Sequence, residues 1–164
     1  MNKQELLKEI EFTKEHLATV EKLLEECKYA RQKPEDFEDY WIVNDYGQVY
    51  NYTWTDNGNN NTHYKCYNCF QTREQAEAEA EKILIRRQLE DIARRLNKGE
   101  KIDWSNKQQG KYSLYLSSNR NAIEWYSEIY RKVQGTIYCL DNDFCDAAIQ
   151  EIGEERLKKY LRSE

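Results

Sequence analysis

The sequence predicts an α+β fold, an N-terminal amphipathic helix followed by two tandem ββ(β)α units with antiparallel sheet. Three observations carry this reading. Apolar residues recur at helical spacing over the first thirty residues, and the period falls to two from Tyr40. The order hairpin, short strand, helix then occurs a second time after Gly99. At 164 residues the chain has the length of a single domain, and it divides into segments 1–33, 40–99 and 100–164.

In the first segment Leu6, Ile10, Thr13, Leu17, Val20, Leu24 and Cys27 alternate steps of four and three, which is a heptad seam. With Ile10, Leu17 and Leu24 at the a positions, Glu9 faces Lys14 of a parallel partner and His16 faces Glu21. Two readings stand: a homodimer through this helix, or a helix lying on its own domain with Leu7 and Leu23 widening the stripe. Lys33-Pro34 ends it, because the residue before proline resists helical geometry. The acidic run Glu35-Asp36-Phe37-Glu38-Asp39 is a linker.

"YWIVNDYGQVYNYTW" reads as a hairpin with strands near 40–44 and 48–54, turning at Asp45-Tyr46-Gly47. Asp56 to Asn61 is a loop by composition, and a third short strand is predicted over about 62–70. Thr72 with Gln75 three residues later is a capping-box pattern. The helix it opens carries Ala76, Ala80, Ile83, Leu84, Leu89, Ile92 and Leu96 and stops before Gly99. The second unit begins with a hairpin turning at Ser118–Asn121, followed by a short strand in "GTIYCL". One last helix, capped by Asp141 or Asn142, then carries Ala148, Ile149, Ile152, Leu157 and Leu161. In this overlay Tyr40 matches Tyr112, Phe70 matches Cys139, Thr72 matches Asp141 and Ala76 matches Cys145.

Composition narrows the function. Hydrophobic content is 39% and charged content 34%, with 13 Tyr and 4 Trp, so aromatic residues must supply much of the core and leave some polar-tipped rings outside. A net charge of −5 argues against a basic nucleic-acid-binding face. No apolar run approaches the ~20 residues that span a bilayer, and the first residues form a charged helix, so a cytoplasmic protein is expected. Five cysteines, an odd number, do not make a disulfide framework.

"HYKCYNCFQT" holds the one metal-like pattern. Cys66 and Cys69 supply two thiolates from a C-x-x-C, and a structural zinc would draw its other ligands from His63, Cys139 or Cys145, of which Cys145 is the weakest because its counterpart Ala76 reads as a buried helix position. If 62–70 is a plain strand, however, Cys66 and Cys69 point to opposite faces, and the cysteines are small core hydrophobes. No nucleophile elbow, P-loop, dinucleotide fingerprint or H-E-x-x-H occurs, and the expectation is a protein that is not an enzyme. Arg86, Arg87, Arg94, Arg95 and Lys98 complement the C-terminal dipole of their helix. Together with Trp41, Trp54, Trp104 and Trp125 they form the alternative, a nucleic-acid-binding regulator with an aromatic platform.

The segments "YWIVNDYGQVYNYTW", "NCFQTREQAEAEAEKI", "DWSNKQQGKYSLYL" and "IQEIGEERLKKYL" together resemble a family of small proteins encoded by bacteriophages and prophages of Gram-positive bacteria. The resemblance spans roughly residues 40–161. It departs from the family at Cys139, where an aromatic is usual, and at Cys66, before Tyr67-Asn68. It implies an accessory phage function in the host cytoplasm: inhibition of a bacterial defence protein, such as an RNA-guided nuclease, in the manner of an anti-CRISPR protein. The partner-binding candidates are the exposed acids and neighbouring aromatic Glu35, Asp36, Glu38, Asp39, Asp56 and Trp54. Acids of this kind meet the basic nucleic-acid channel of such a target.

Overall fold

A computed structural model describes residues 12–14, 16–17, 33–36, 38–129 and 131–162. The heptad seam and the dimer reading drawn from it fall almost wholly outside these residues; within them, 12–14 and 16–17 are helical. From Asp39 onward the fold is mixed α+β, with two antiparallel two-stranded sheets and four helices among the described residues.

The first hairpin pairs β1 (Asp39–Val43) with β2 (Val49–Thr53), Tyr40 opposite Tyr52 and Ile42 opposite Tyr50. Its turn is built by Asn44, whose side-chain carbonyl accepts from the amides of Tyr46 (2.9 Å) and Gln48 (2.8 Å). Gly47 completes the turn at φ +77°, where a Cβ would also meet Leu84 of the following long helix at 3.3 Å. Period-two alternation sends Tyr40 and Ile42 to one face with Trp54, and Trp41, Val43 and Val49 to the other. Both faces are covered, by different helices.

The cover on the Tyr40 face corrects the predicted third strand. Residues Gly58–Lys65 form a helix, α1, where the sequence suggested loop and strand. Asn57 starts it, its side chain accepting from the Asn60 amide at 2.9 Å. The asparagine-rich run reads as loop by composition. It becomes helical because capping and the burial of Tyr64 against Trp54 outweigh weak intrinsic propensity. What survives of the strand is one residue. Phe70 exchanges two backbone hydrogen bonds with Trp41, at 2.8 and 2.9 Å.

Helix α2 (Arg73–Leu96) opens with the predicted capping box, Thr72 and Gln75 each bonding the other's backbone. Its first half lays Ala76 and Ala80 against Val43, and its second half gives Ile85, Leu89, Ile92 and Ala93 to the main core. Thr72→Ala is expected to destabilise the protein by about 1 kcal/mol, read as a shift of the urea midpoint with unchanged slope.

The second hairpin pairs β3 (Lys111–Ser117) with β4 (Ala122–Glu128) around the predicted turn. "GTIYCL" contributes only Cys139, which exchanges bonds of 2.7 and 2.8 Å with Tyr112. Phe70 therefore bridges Trp41 while Cys139 bridges Tyr112, so the predicted overlay of Tyr40 on Tyr112 slips by one residue.

The predicted final helix is two helices. Gly153 at φ +93° separates α3 (Phe144–Ile152) from α4 (Glu154–Arg162), which turns Leu157 and Tyr160 onto the same core as Phe144 and Ala148. The cap residue of α3 is Asp143, and Asp141 instead accepts from the Asp143 amide at 3.0 Å. The main core joins the second half of α2 to β4, α3 and α4, so it crosses the 99/100 segment boundary.

Candidate functional site

The acidic linker forms a wall. Past Pro34 the chain makes a turn in which the Glu38 amide donates to Glu35 O at 3.0 Å, and the Glu35 amide donates to the Glu38 carboxylate at 2.9 Å. The Trp54 amide donates to Glu38 O at 2.8 Å and fastens this turn to the end of the hairpin. Asp39 begins β1 and accepts from the Thr53 hydroxyl at 2.9 Å. The wall bounds a cavity of about 860 Å³ lined by Glu35, Asp36, Glu38, Asp39, Lys33 and Gln71, among others.

Its electrostatics follow from the residue types. Four acidic residues and one lysine line it, and the lysine ammonium is already held by Asp56 at 3.1 Å, with the Trp54 ring centroid 5.0 Å away. Asp56 carries hydrogen bonds from Asn61 and Lys33, which hold its carboxyl below the usual range. The cavity thus presents clustered negative charge to solvent and suits a cationic guest, an ammonium or guanidinium carried by another molecule.

Of the partner-binding candidates, Glu35, Asp36, Glu38 and Asp39 come together on this wall, and Asp56 joins them through Lys33. Trp54 does not serve as a contact. It is 1% exposed, with ring centroids 5.7 Å from Tyr40 and 6.3 Å from Tyr64. In the period-two pattern the residue after Thr53 turns inward, and α1 closes over it.

The candidate metal ligands are dispersed. His63 Nδ1 lies 2.9 Å from the Tyr40 hydroxyl. Burial first, then Cys69 and Tyr52, pushes that phenol up to about 12, so Tyr40 stays protonated. Cys66 is exposed at the end of α1, and Cys69 packs against the Tyr40, Ile42 and Trp54 cluster. Cys139 sits in the other core, its thiol 3.2 Å from the Asn97 side-chain oxygen. Among the described residues no three His, Cys, Asp or Glu side chains are grouped to hold a metal.

The basic and aromatic groups are likewise spread. Arg86 pairs with Glu90, Arg94 with Asp91, and Arg95 with both Asp91 and Glu151, while Arg87 donates to Asp45 O at 2.7 Å. Trp41 and Trp54 lie on opposite faces of the first hairpin, and Trp104 and Trp125 pack on Tyr138 and Tyr112 of the second half. They form no single platform.

Comparison with known protein families, with curated proteins and with solved structures finds no match. Among the described residues no helix is long and apolar enough to cross a membrane.

Sequence reasoning missed the buried pair Lys111 and Glu128, which face each other across the second hairpin. Lys111 is fully buried. Its ammonium donates to Asn106 O (2.8 Å) and Gln109 O (2.6 Å) and lies 5.5 Å from the Trp104 ring centroid. Nothing local in the sequence marks it, since a lysine is ordinarily exposed.

Proposed function

We propose that this protein is a non-enzymatic inhibitor that binds a basic surface of a bacterial defence protein through its acid-lined cavity. The partner class is an RNA-guided nuclease, as the resemblance to phage proteins implies. The observation that carries this reading is the convergence of Glu35, Asp36, Glu38 and Asp39 on one cavity wall in a chain of net charge −5. Such a wall competes with nucleic acid for a cationic channel, steering encounter and fixing register.

The test is target cleavage by a panel of RNA-guided nucleases with excess protein, repeated with the four wall acids reversed to lysine. Inhibition by the unaltered chain is expected, and the quadruple variant should need about a hundredfold more protein, equivalent to roughly 3 kcal/mol. The reversal also removes the Glu38 and Asp39 side-chain hydrogen bonds, so circular dichroism and the urea midpoint of the quadruple variant check that it still folds. Unchanged cleavage across the panel would sink the proposal.

We also infer that the two halves are diverged copies of one unit, in which a hairpin is bridged by a single residue ahead of a helix. Supporting this, Phe70 and Cys139 make the same two-way bridge, and Thr72 and Asp141 follow each by two residues. Ala76 and Cys145 are then buried at the same spacing. Relatives whose halves align in a different register would overturn it.

A further inference from the structure

We infer that Cys66 and Cys69 are a redox-active dithiol that closes to an intramolecular disulfide when the protein meets a hydroperoxide. This inference is independent of the inhibitor reading. In the predicted strand, residues three apart lie roughly 10 Å from each other on opposite faces. The strand is replaced by the end of α1, where the chain folds back on itself. The Cys66 amide donates to Thr62 O at 2.9 Å, Tyr67 to Tyr64 O at 3.1 Å and Asn68 to His63 O at 2.9 Å, with Tyr67 at φ +59°.

The turn is fixed from outside as well. Asn68, between the cysteines, accepts from the Val43 amide at 2.8 Å and donates to Val43 O at 2.7 Å, in the manner of a neighbouring strand. Cys66 is exposed and accessible to oxidant, and Cys69 is half-buried three residues later. The contrast with the rest of the described chain is sharp. Cys139 and Cys145 are buried, and burial pushes both thiols up, away from the reactive thiolate. Neither His63, which is engaged by Tyr40, nor Cys139, in the other core, joins the pair as a donor, which leaves it dithiol chemistry.

The step balances without a further reactant. The Cys66 thiolate attacks the distal oxygen of the hydroperoxide, giving a sulfenic acid and releasing the alcohol, or water from hydrogen peroxide itself. The Cys69 thiolate then attacks the Cys66 sulfur, the S–S bond forms, and the sulfenic oxygen leaves as water with the two thiol protons accounted for. Two thiols are oxidised and one peroxide bond is reduced.

The experiment uses the full chain with Cys27→Ser, treated with hydrogen peroxide, alkylated without denaturant and digested with trypsin. Cleavage after Lys65 and Arg73 releases both cysteines in one peptide. That peptide should be lighter by two hydrogens and unalkylated, no disulfide should link two chains on a non-reducing denaturing gel, and the change should be reversed by dithiothreitol. Cys139 and Cys145 should alkylate only after denaturation. With Cys69→Ser added, Cys66 should instead accumulate as a sulfenic acid captured by dimedone. Cys66 sulfinic or sulfonic acid beside an alkylatable Cys69, a dimer linked through Cys66, or a pair that stays reduced would each overturn the inference.

Discussion

Replacing Trp54 by alanine is expected to lower the unfolding free energy by about 4 kcal/mol, the range for a buried tryptophan whose site cannot collapse. Trp54 is 1% exposed, and its ring is walled by Tyr40, Tyr64 and the Lys33 ammonium. The loss should propagate, because the Trp54 amide also anchors the acidic turn at Glu38. Urea unfolding followed by far-ultraviolet circular dichroism checks it. Trp54→Phe, which keeps an aromatic ring in the site, should recover more than half of the loss. A Trp54→Ala protein of unchanged stability would return Trp54 to the surface, as the sequence suggested.

Lys111→Met is expected to cost about 3 kcal/mol although the replacement is apolar, buried and of similar length. It removes a charged donor from two loop carbonyls, those of exposed Asn106 and half-buried Gln109, and hydrogen bonds to a charged group contribute roughly 1.5–3 kcal/mol each. The loop bearing Asn106 and Gln109 is held by that ammonium at 2.8 and 2.6 Å, and Glu128 lies opposite with a side chain only 10% exposed. Hydrogen exchange should show the amides of residues 103–109 losing protection first. A variant as stable as the parent would mean that the ammonium contributes no net stability.

Much of the fold was readable where a local device sets the structure. The Asp45-Tyr46-Gly47 turn, the Thr72 capping box and the stop before Gly99 are set by a few adjacent residues, and each appears where expected. The larger misreadings involve contacts from far along the chain. α1 is polar and weakly helical, and it forms because Asn57 caps it and the Tyr40 face needs a cover. The run through Ile152 and Leu157 is continuous in helical period, and only the position of the core makes Gly153 a corner.

The candidate site divides in the same way. Glu35, Asp36, Glu38 and Asp39 were legible because four acids in five residues stay exposed wherever the chain runs. Trp54 was misassigned because a tryptophan at a strand end carries no mark of which layer will close over it. C-x-x-C was visible, but its chemistry turned on whether its backbone was extended or folded back.

By itself the sequence determined the α+β class, the two hairpins, the long capped helix and the acidity of the linker, since these depend on period, turn chemistry and charge within a few residues. The tertiary structure alone decided that α1 covers Tyr40, that Lys111 is buried, that the acids share one cavity, and that Cys66 and Cys69 sit across a turn far from Cys139. The physical reason is burial. Which side of a strand or helix loses its water is settled by segments tens of residues away, and that loss fixes whether a tryptophan binds or packs and whether a lysine or thiol is exposed or enclosed.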